Sequence, residues 1–241
     1  MRSHPSLRPL AVFALLVIAW CVVGGFSSGN PMLIVEAVGG SVILWWILQV
    51  IRELLPMRRL EEALARDAVS VVIGGVACRM TPALGTDAVV VGTIRPRIYV
   101  GLDLIDRLTN DEIKAVLYHE EHHRVTLAPL RAAAITSWLR LFGRAGNVRE
   151  MLLDRLADLE TMADAEALRR GSTAGSLARA LLKGGEPLGL TAAFSYAADR
   201  RVEQLLEYVE GDAPAGSRRL PYEWLPAAMF AVTAVGCHLR P

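Results

Sequence analysis

The chain has 241 residues, with 26 Lys and Arg against 25 Asp and Glu, 53% hydrophobic residues and 21% charged ones. Near-neutral charge removes the electrostatic reason to bind nucleic acid directly, and so apolar a composition is not that of a disordered chain. The mean hydropathy of +0.34 is high for a soluble domain, and the apolar residues are clustered, so the sequence reads as a membrane protein with a soluble part.

The first apolar run, Leu10 to Phe26, has no charge in 17 residues. Ser27-Ser28-Gly29-Asn30-Pro31 is a turn-prone link to the second, Met32 to Ile51, whose 20 residues hold one acid, Glu36, and one amide, Gln49. Each run can cross a hydrocarbon core of roughly 30 Å at about 1.5 Å per residue. Residues 1–54 therefore predict a transmembrane helical hairpin, with spans at about 10–26 and 32–51. Arg2 and Arg8 before the first run leave a cleaved signal peptide as the alternative. Arg2, Arg8, Arg52, Arg58 and Arg59 flank the hairpin outside and none lies in its loop, so both flanks are expected in the cytoplasm. This makes the chain an integral protein of the cell membrane with a cytoplasmic domain. An unpaired Cys78 suits that reducing side, and three cysteines (Cys21, Cys78, Cys237) are too few for a disulfide framework.

Residues 55–212 read as the soluble domain. Val69 to Ala77 and Ala88 to Val91 are β-branched runs bounded by Gly and predict strands; Ile98-Tyr99-Val100 predicts a short strand after the turn Arg95-Pro96-Arg97. Pro96 cannot donate to a ladder and suits a sheet edge or turn. Thr109 to about Tyr208 is helical in pattern, with breaks at 143–147, 171–175 and 184–189. The fold class expected is α+β, mainly helical. Ala213 to Ser217 reads as a linker. Trp224 to Leu239 is apolar over 16 residues, a candidate third span or else a buried or interfacial helix.

Thr109-Asn110-Asp111-Glu112 has the form of a capping box, opening a helix with an apolar face of Ile113, Val116 and Leu117. That helix runs into His119-Glu120-Glu121-His122-His123, the pattern H-E-x-x-H. Positions i and i+4 project from one helix face, so His119 and His123 can hold one Zn²⁺. Glu120 is then placed to act as general base toward a water at the metal, not as a ligand. His122 could instead pair with His119 at i,i+3, but only His123 leaves Glu120 correctly spaced. Glu121 and His122 are expected to be solvated or to sit behind the ligands.

Two imidazoles under-coordinate a metal, so a third protein ligand is needed. Arg149 to Arg170 reads as one helix and contains Glu160, 37 residues after His123, with Asp164 one turn on. Asp164 could accept the free N–H of a ligating histidine and fix its tautomer. Glu150 and Asp154 have the same i,i+4 spacing, so spacing alone does not choose between the pairs. Leu127, Leu130, Ala134, Trp138 and Leu141 recur at helical spacing, with Arg131 and Arg140 among them, and predict an amphipathic core helix, with a substrate or lipid surface as the alternative.

The stretch from about Asp87 to Asp164 resembles the cytoplasmic zinc peptidase of BlaR/MecR-type membrane metallopeptidases, relatives of the gluzincins. The resemblance lies in Val89-Val90-Val91-Gly92-Thr93-Ile94-Arg95-Pro96-Arg97-Ile98-Tyr99-Val100 and in Leu108 to Glu120. It lies also in Glu160-x-x-Ala163-Asp164-x-x-Ala167 and in Arg201-Val202-Glu203-Gln204-Leu205-Leu206. It favours Glu160 as third ligand. It implies a zincin-like peptidase fold and a membrane metalloendopeptidase holding one Zn²⁺, with a protein or peptide substrate that in the sensor members is a DNA-binding transcriptional repressor. No penicillin-binding sensor domain follows, so β-lactam sensing is not expected. Arg124-Val125-Thr126-Leu127-Ala128-Pro129-Leu130 also departs from the basic run that the sensors carry there. Zinc-dependent peptide hydrolysis, with the substrate extended along an edge strand near Val89 to Gly92, is the leading reading; a non-catalytic membrane scaffold or signalling partner of peptidase shape is the other.

Overall fold

The computed structural model describes residues 31–142, 144, 146–184, 201, 205 and 208. The expected span at 10–26, the linker at 213–217 and the apolar stretch at 224–239 lie outside them.

Helix α1 (Pro31–Ala65) is one helix of 35 residues, longer than the expected span at 32–51. Its Gly39–Ala65 portion is long and apolar enough to cross a membrane, by length and composition. Leu44, Ile47, Ile51 and Leu55 form an exposed apolar stripe at helical spacing along it. The chain divides into two compact units between Arg52 and Glu53. Pro56 lies inside α1, and lacking an N–H it leaves the carbonyl of Arg52 without its intrahelical partner at that boundary.

In the unit from Glu53 onward, β1 (Val69–Ile73) and β2 (Val76–Thr81) form a hairpin, where the sequence predicts one strand over 69–77. The correction lies in Gly74 and Gly75, at φ +59° and +83°. Two consecutive positive φ values make the two-residue turn whose twist matches antiparallel strands. β3 (Ala88–Val91) and β4 (Arg97–Gly101) complete a sheet of order β1-β2-β4-β3. β2 runs parallel to β4 (Arg79 opposite Tyr99), and β3 antiparallel to it (Val89 opposite Tyr99). Among the described residues β3 is therefore an edge strand, and Pro96 falls in the connection to β4 as its missing N–H requires.

β3 and β4 are covered on both faces, which is why they read as continuous apolar runs, whereas Val69 and Val72 of β1 are exposed. Ile98 and Val100 pack with Val76, Cys78 and Val90 against Leu104 of α2 (Leu102–Arg107) and Ile113 and Leu117 of α3 (Asn110–Val125). Tyr99 and Val91, pointing the other way, meet Leu64, Leu60 and Met57 of α1. Burial pushes the Cys78 thiol up in pKa, away from the reactive thiolate. At the end of β4, a Cβ on Gly101 would stand 2.0 Å from the carbonyl oxygen of Gly85. Only glycine permits that approach, which, with Gly101 N–H donating to the Asp87 carbonyl at 2.8 Å, ties the entry to β3 against β4.

The rest is helical: α4 (Ala128–Phe142), α5 (Gly146–Arg169) and α6 (Ala174–Lys183). α5 begins three residues before the expected Arg149. α4 buries Ala134 and Trp138 as a core helix should, but Leu141 and Phe142 at its end are exposed. The break expected at 184–189 lies outside the described residues beyond Gly184. The architecture is a mainly helical α+β unit around a small mixed sheet.

Candidate metal centre

The capping box that opens α3 is formed as its sequence requires: Thr109 N–H donates to Glu112 Oε2 at 2.9 Å, and Glu112 N–H to Thr109 Oγ1 at 3.4 Å. Glu112 does more than cap. Its carboxylate also accepts from Lys183 Nζ at 2.7 Å and Arg179 Nε at 3.0 Å, fastening α6 to the start of α3. The Lys183 hydrogen bond first, then that of the Thr109 backbone, lowers the Glu112 pKa to about 2.

With Ile113 and Leu117 held in the sheet-facing core, His119 and His123 are buried one turn apart where α3 crosses α5. Their rings meet edge to face at 4.5 Å, and their Nε2 atoms are 2.9 Å apart. Glu160 enters from α5 with Oε2 3.4 Å from His119 Nε2 and Oε1 3.4 Å from His123 Nε2. One donor atom from each of the three residues lies within 4.8 Å of the others. Two imidazole nitrogens and one carboxylate oxygen, turned toward a common point in a buried place, form a donor set that fits one divalent transition-metal ion.

Asp164, one turn beyond Glu160 and fully buried, accepts from His119 Nδ1 at 2.7 Å. That bond turns the Nε2 of His119 toward Glu160 and His123. Glu150 is exposed and Asp154 only half-buried. Ten residues nearer the start of α5, they lie about 15 Å away along the helix axis. The structure thus brings together His119, His123, Glu160 and Asp164 and leaves the alternative pair outside. His123 Nδ1 is buried with no hydrogen-bond partner among the described residues.

Arg201 is a member of the cluster that spacing does not reveal. It donates through Nε to Asp164 Oδ2 at 2.7 Å, through Nη2 to Asp164 Oδ1 at 2.8 Å and through Nη1 to Glu160 Oε2 at 3.2 Å. It lies 37 residues after Asp164, beyond any helical periodicity; the arginine in the segment 201–206 is the one signal that marked it.

The electrostatics follow from these contacts. Burial drives the His119 pKa down, but the Asp164 charge and the hydrogen bonds that His119 donates to Asp164 and Glu160 outweigh it and lift the pKa to about 9. Burial raises the Glu160 carboxyl, yet the two histidines hold it well below the ordinary carboxylate range. Asp164 is likewise lowered against its burial, by His119 and Arg201. Glu120 goes the other way: burial, reinforced by the like charge of Glu160, raises its pKa over the opposing histidines. A carboxylate whose affinity for a proton is raised is the one suited to take it up.

A cavity of about 320 Å³ opens on the cluster, with His119, Glu120, His123, Glu160 and Arg201 in its wall. One border is the edge strand and its approach, Thr86 to Val90. Most of the remaining wall is apolar, including Leu104, Val116, Leu177, Ala180 and Leu181. Leu127, at φ +54°, lets the chain turn from α3 into α4 at once, and Ala128, Pro129 and Ala132 close that side. The α6 side chains in this wall were not marked by any sequence pattern. Tyr118 and His122 are absent from it: Tyr118 lies under the Arg170 guanidinium at 4.2 Å. His122 is half-buried, its pKa taken down to about 4 by burial first and then by the neighbouring histidines. Glu121 forms a two-pronged pair with Arg124, both contacts at 2.7 Å.

No protein-family model matches this chain, and neither the curated proteins nor the solved structures give a match.

Proposed function

We propose that the chain is a membrane-anchored zinc metalloendopeptidase. The observation that carries this reading is the convergence of His119, His123 and Glu160 beside Glu120, in one cavity bordered by β3, the outer strand of the sheet among the described residues. Zinc, with His119, His123 and Glu160 as its ligands, would supply Lewis acidity toward a carbonyl and acidify a water.

The chain's own residues do the rest. Among the described residues β3 has no strand on its outer side, and there an extended peptide adds as a further strand, its main chain held by ladder hydrogen bonds. The apolar walls take a substrate side chain and exclude bulk water. Glu120 accepts a proton at its carboxylate from the attacking water and hands it to the leaving amine. Asp164 holds His119 in the tautomer that presents Nε2, and Arg201 holds Asp164. The basic flank of Arg52, Arg58 and Arg59 supports a cytoplasmic site, and the family resemblance supports a protein substrate on that side, a DNA-binding repressor among them. The scaffold reading gives Glu120 and the Asp164–His119 contact no task.

The test is Glu120→Gln in detergent-purified protein. It keeps about one equivalent of zinc by elemental analysis, whereas His119→Ala loses it. Peptide hydrolysis by Glu120→Gln falls by about 10²–10⁴-fold. Full turnover by Glu120→Gln sinks the mechanism.

A further inference from the structure

We propose that the end of α4 and the connection to α5 rest on the headgroups of an anionic bilayer, so that the peptidase unit is held to the membrane at a second point besides α1. The inference takes from the reading above only that α1 spans the membrane.

Three observations carry it. The first is charge. From Arg124 to Arg149 the chain has five arginines and no acid in 26 residues, within a protein of net charge +1. Arg124 is tied to Glu121 and Arg140 to Glu53; Arg144 in the connection and Arg149 in the first turn of α5 are exposed. Glu150 is the nearest acid that follows. The second is exposed apolar surface in the same place: Leu141 is 38% exposed, Phe142 41% and Met151 53%. The Phe142 ring is stacked on buried Trp138 at 5.7 Å, so it is presented rather than loose. Large apolar and aromatic tips interleaved with arginines have the composition of a surface that seats at the boundary between headgroups and acyl chains.

The third observation sets the level. Arg140 Nη2 lies 2.5 Å from Glu53 Oε1. Glu53 stands two residues before Leu55, which is exposed. The end of α4 is thus pinned to α1 at Glu53, two residues before exposed Leu55 and one to two turns before Arg58 and Arg59. A surface fixed there and carrying arginines meets the headgroups, where each basic residue strengthens attachment to an anionic leaflet by about fivefold.

The test uses the full chain, with Cys21, Cys78 and Cys237 replaced by Ala, in nanodiscs of phosphatidylcholine alone or mixed with phosphatidylglycerol. A fluorophore is placed at Phe142→Cys, at Leu44→Cys on α1, or at exposed Asp111→Cys at the start of α3. Spin-labelled lipid and aqueous iodide are the two quenchers. The expected result is lipid quenching at Phe142 several-fold above that at Asp111 and stronger with phosphatidylglycerol. Arg144→Glu with Arg149→Glu removes that lipid dependence. The proposal is overturned when iodide reaches Phe142 as freely as Asp111. It is overturned too when Phe142 is shielded from both quenchers in proportion to protein concentration, which assigns the face to a second copy of the chain. Leu44 separates the failures: lipid quenching at Leu44 without it at Phe142 defeats this proposal alone, whereas none at Leu44 defeats the membrane span beneath it.

Discussion

Replacing Asp164 by Asn separates two things that its carboxylate does for His119, and they act in opposite directions on metal affinity. As the acceptor from Nδ1 at 2.7 Å it fixes the tautomer and strengthens the ligand; losing such a partner costs about 10–100-fold in affinity. The same carboxylate outweighs the effect of burial and holds the His119 pKa at about 9. A metal must displace that proton. At a pH of about 7, two units below, the proton weakens apparent affinity by about 100-fold, or ~2.7 kcal/mol. Asn cannot stabilise an imidazolium in this way, and burial and Arg201 then both press the pKa down.

The two effects nearly cancel near neutrality and separate in base. Apparent zinc affinity of the native chain should rise about tenfold per pH unit between about 7 and 9, then level off. The Asp164→Asn chain should be flat across that window. It should equal the native chain, or bind up to about tenfold tighter, near pH 7, and fall about 10–100-fold weaker by pH 9. Competition titration against a chromophoric chelator, corrected for the chelator's own protonation, reads both curves. A native curve that is flat over the window refutes the reasoning, because no proton would then be competing at His119.

Arg201→Met leaves Asp164 and Glu160 buried without their shared cation, a loss of about 3–5 kcal/mol. The chelator-treated variant should melt well below the native protein, and zinc should restore part of the difference by neutralising Glu160; equal melting temperatures would show that Arg201 is not the counter-charge. Glu112 makes the case for acid. Its folded pKa, lowered to about 2 from 4.5 chiefly by Lys183, is depressed, so its stabilisation is present above 4.5 and is lost as pH falls toward about 2. The urea midpoints of native protein and Glu112→Gln should therefore lie apart at neutral pH and converge over that acid interval; parallel curves would contradict the assignment.

What was legible in the sequence was local. The capping box at Thr109 and Glu112 and the common face of His119 and His123 are set by residues within one or two helical turns of each other. The misreading of 69–77 as one strand is also local, since Gly74-Gly75 between β-branched runs reads as a weak point in a strand as readily as a hairpin turn. The continuation of α1 to Ala65 was hidden for a different reason. Leu60 and Leu64 cover Tyr99 and Val91, and an apolar side chain carries no mark of whether it faces lipid or a sheet.

The position of Glu160 in the cluster shows where spacing stops. Along the 24 residues of α5, about 36 Å, two pairs of acids repeat the same i,i+4 pattern, and only the crossing with α3 selects Glu160 and Asp164. Charge then requires something that spacing cannot supply. Asp164, Glu160 and Glu120 would place three carboxylates around two imidazoles, and Arg201 answers the first by taking both oxygens of Asp164. A divalent ion would meet Glu160 as its one charged ligand, with Glu120 beside it. The sum is zero while Glu120 is ionised and becomes positive once Glu120 holds a proton. Burial and Glu160 raise the Glu120 pKa, so uptake of that proton is favoured at the moment when negative charge would be growing on a substrate oxygen. Without Arg201 the same cluster would stay one charge more negative, and proton uptake by Glu120 would no longer leave a net positive site for that oxygen.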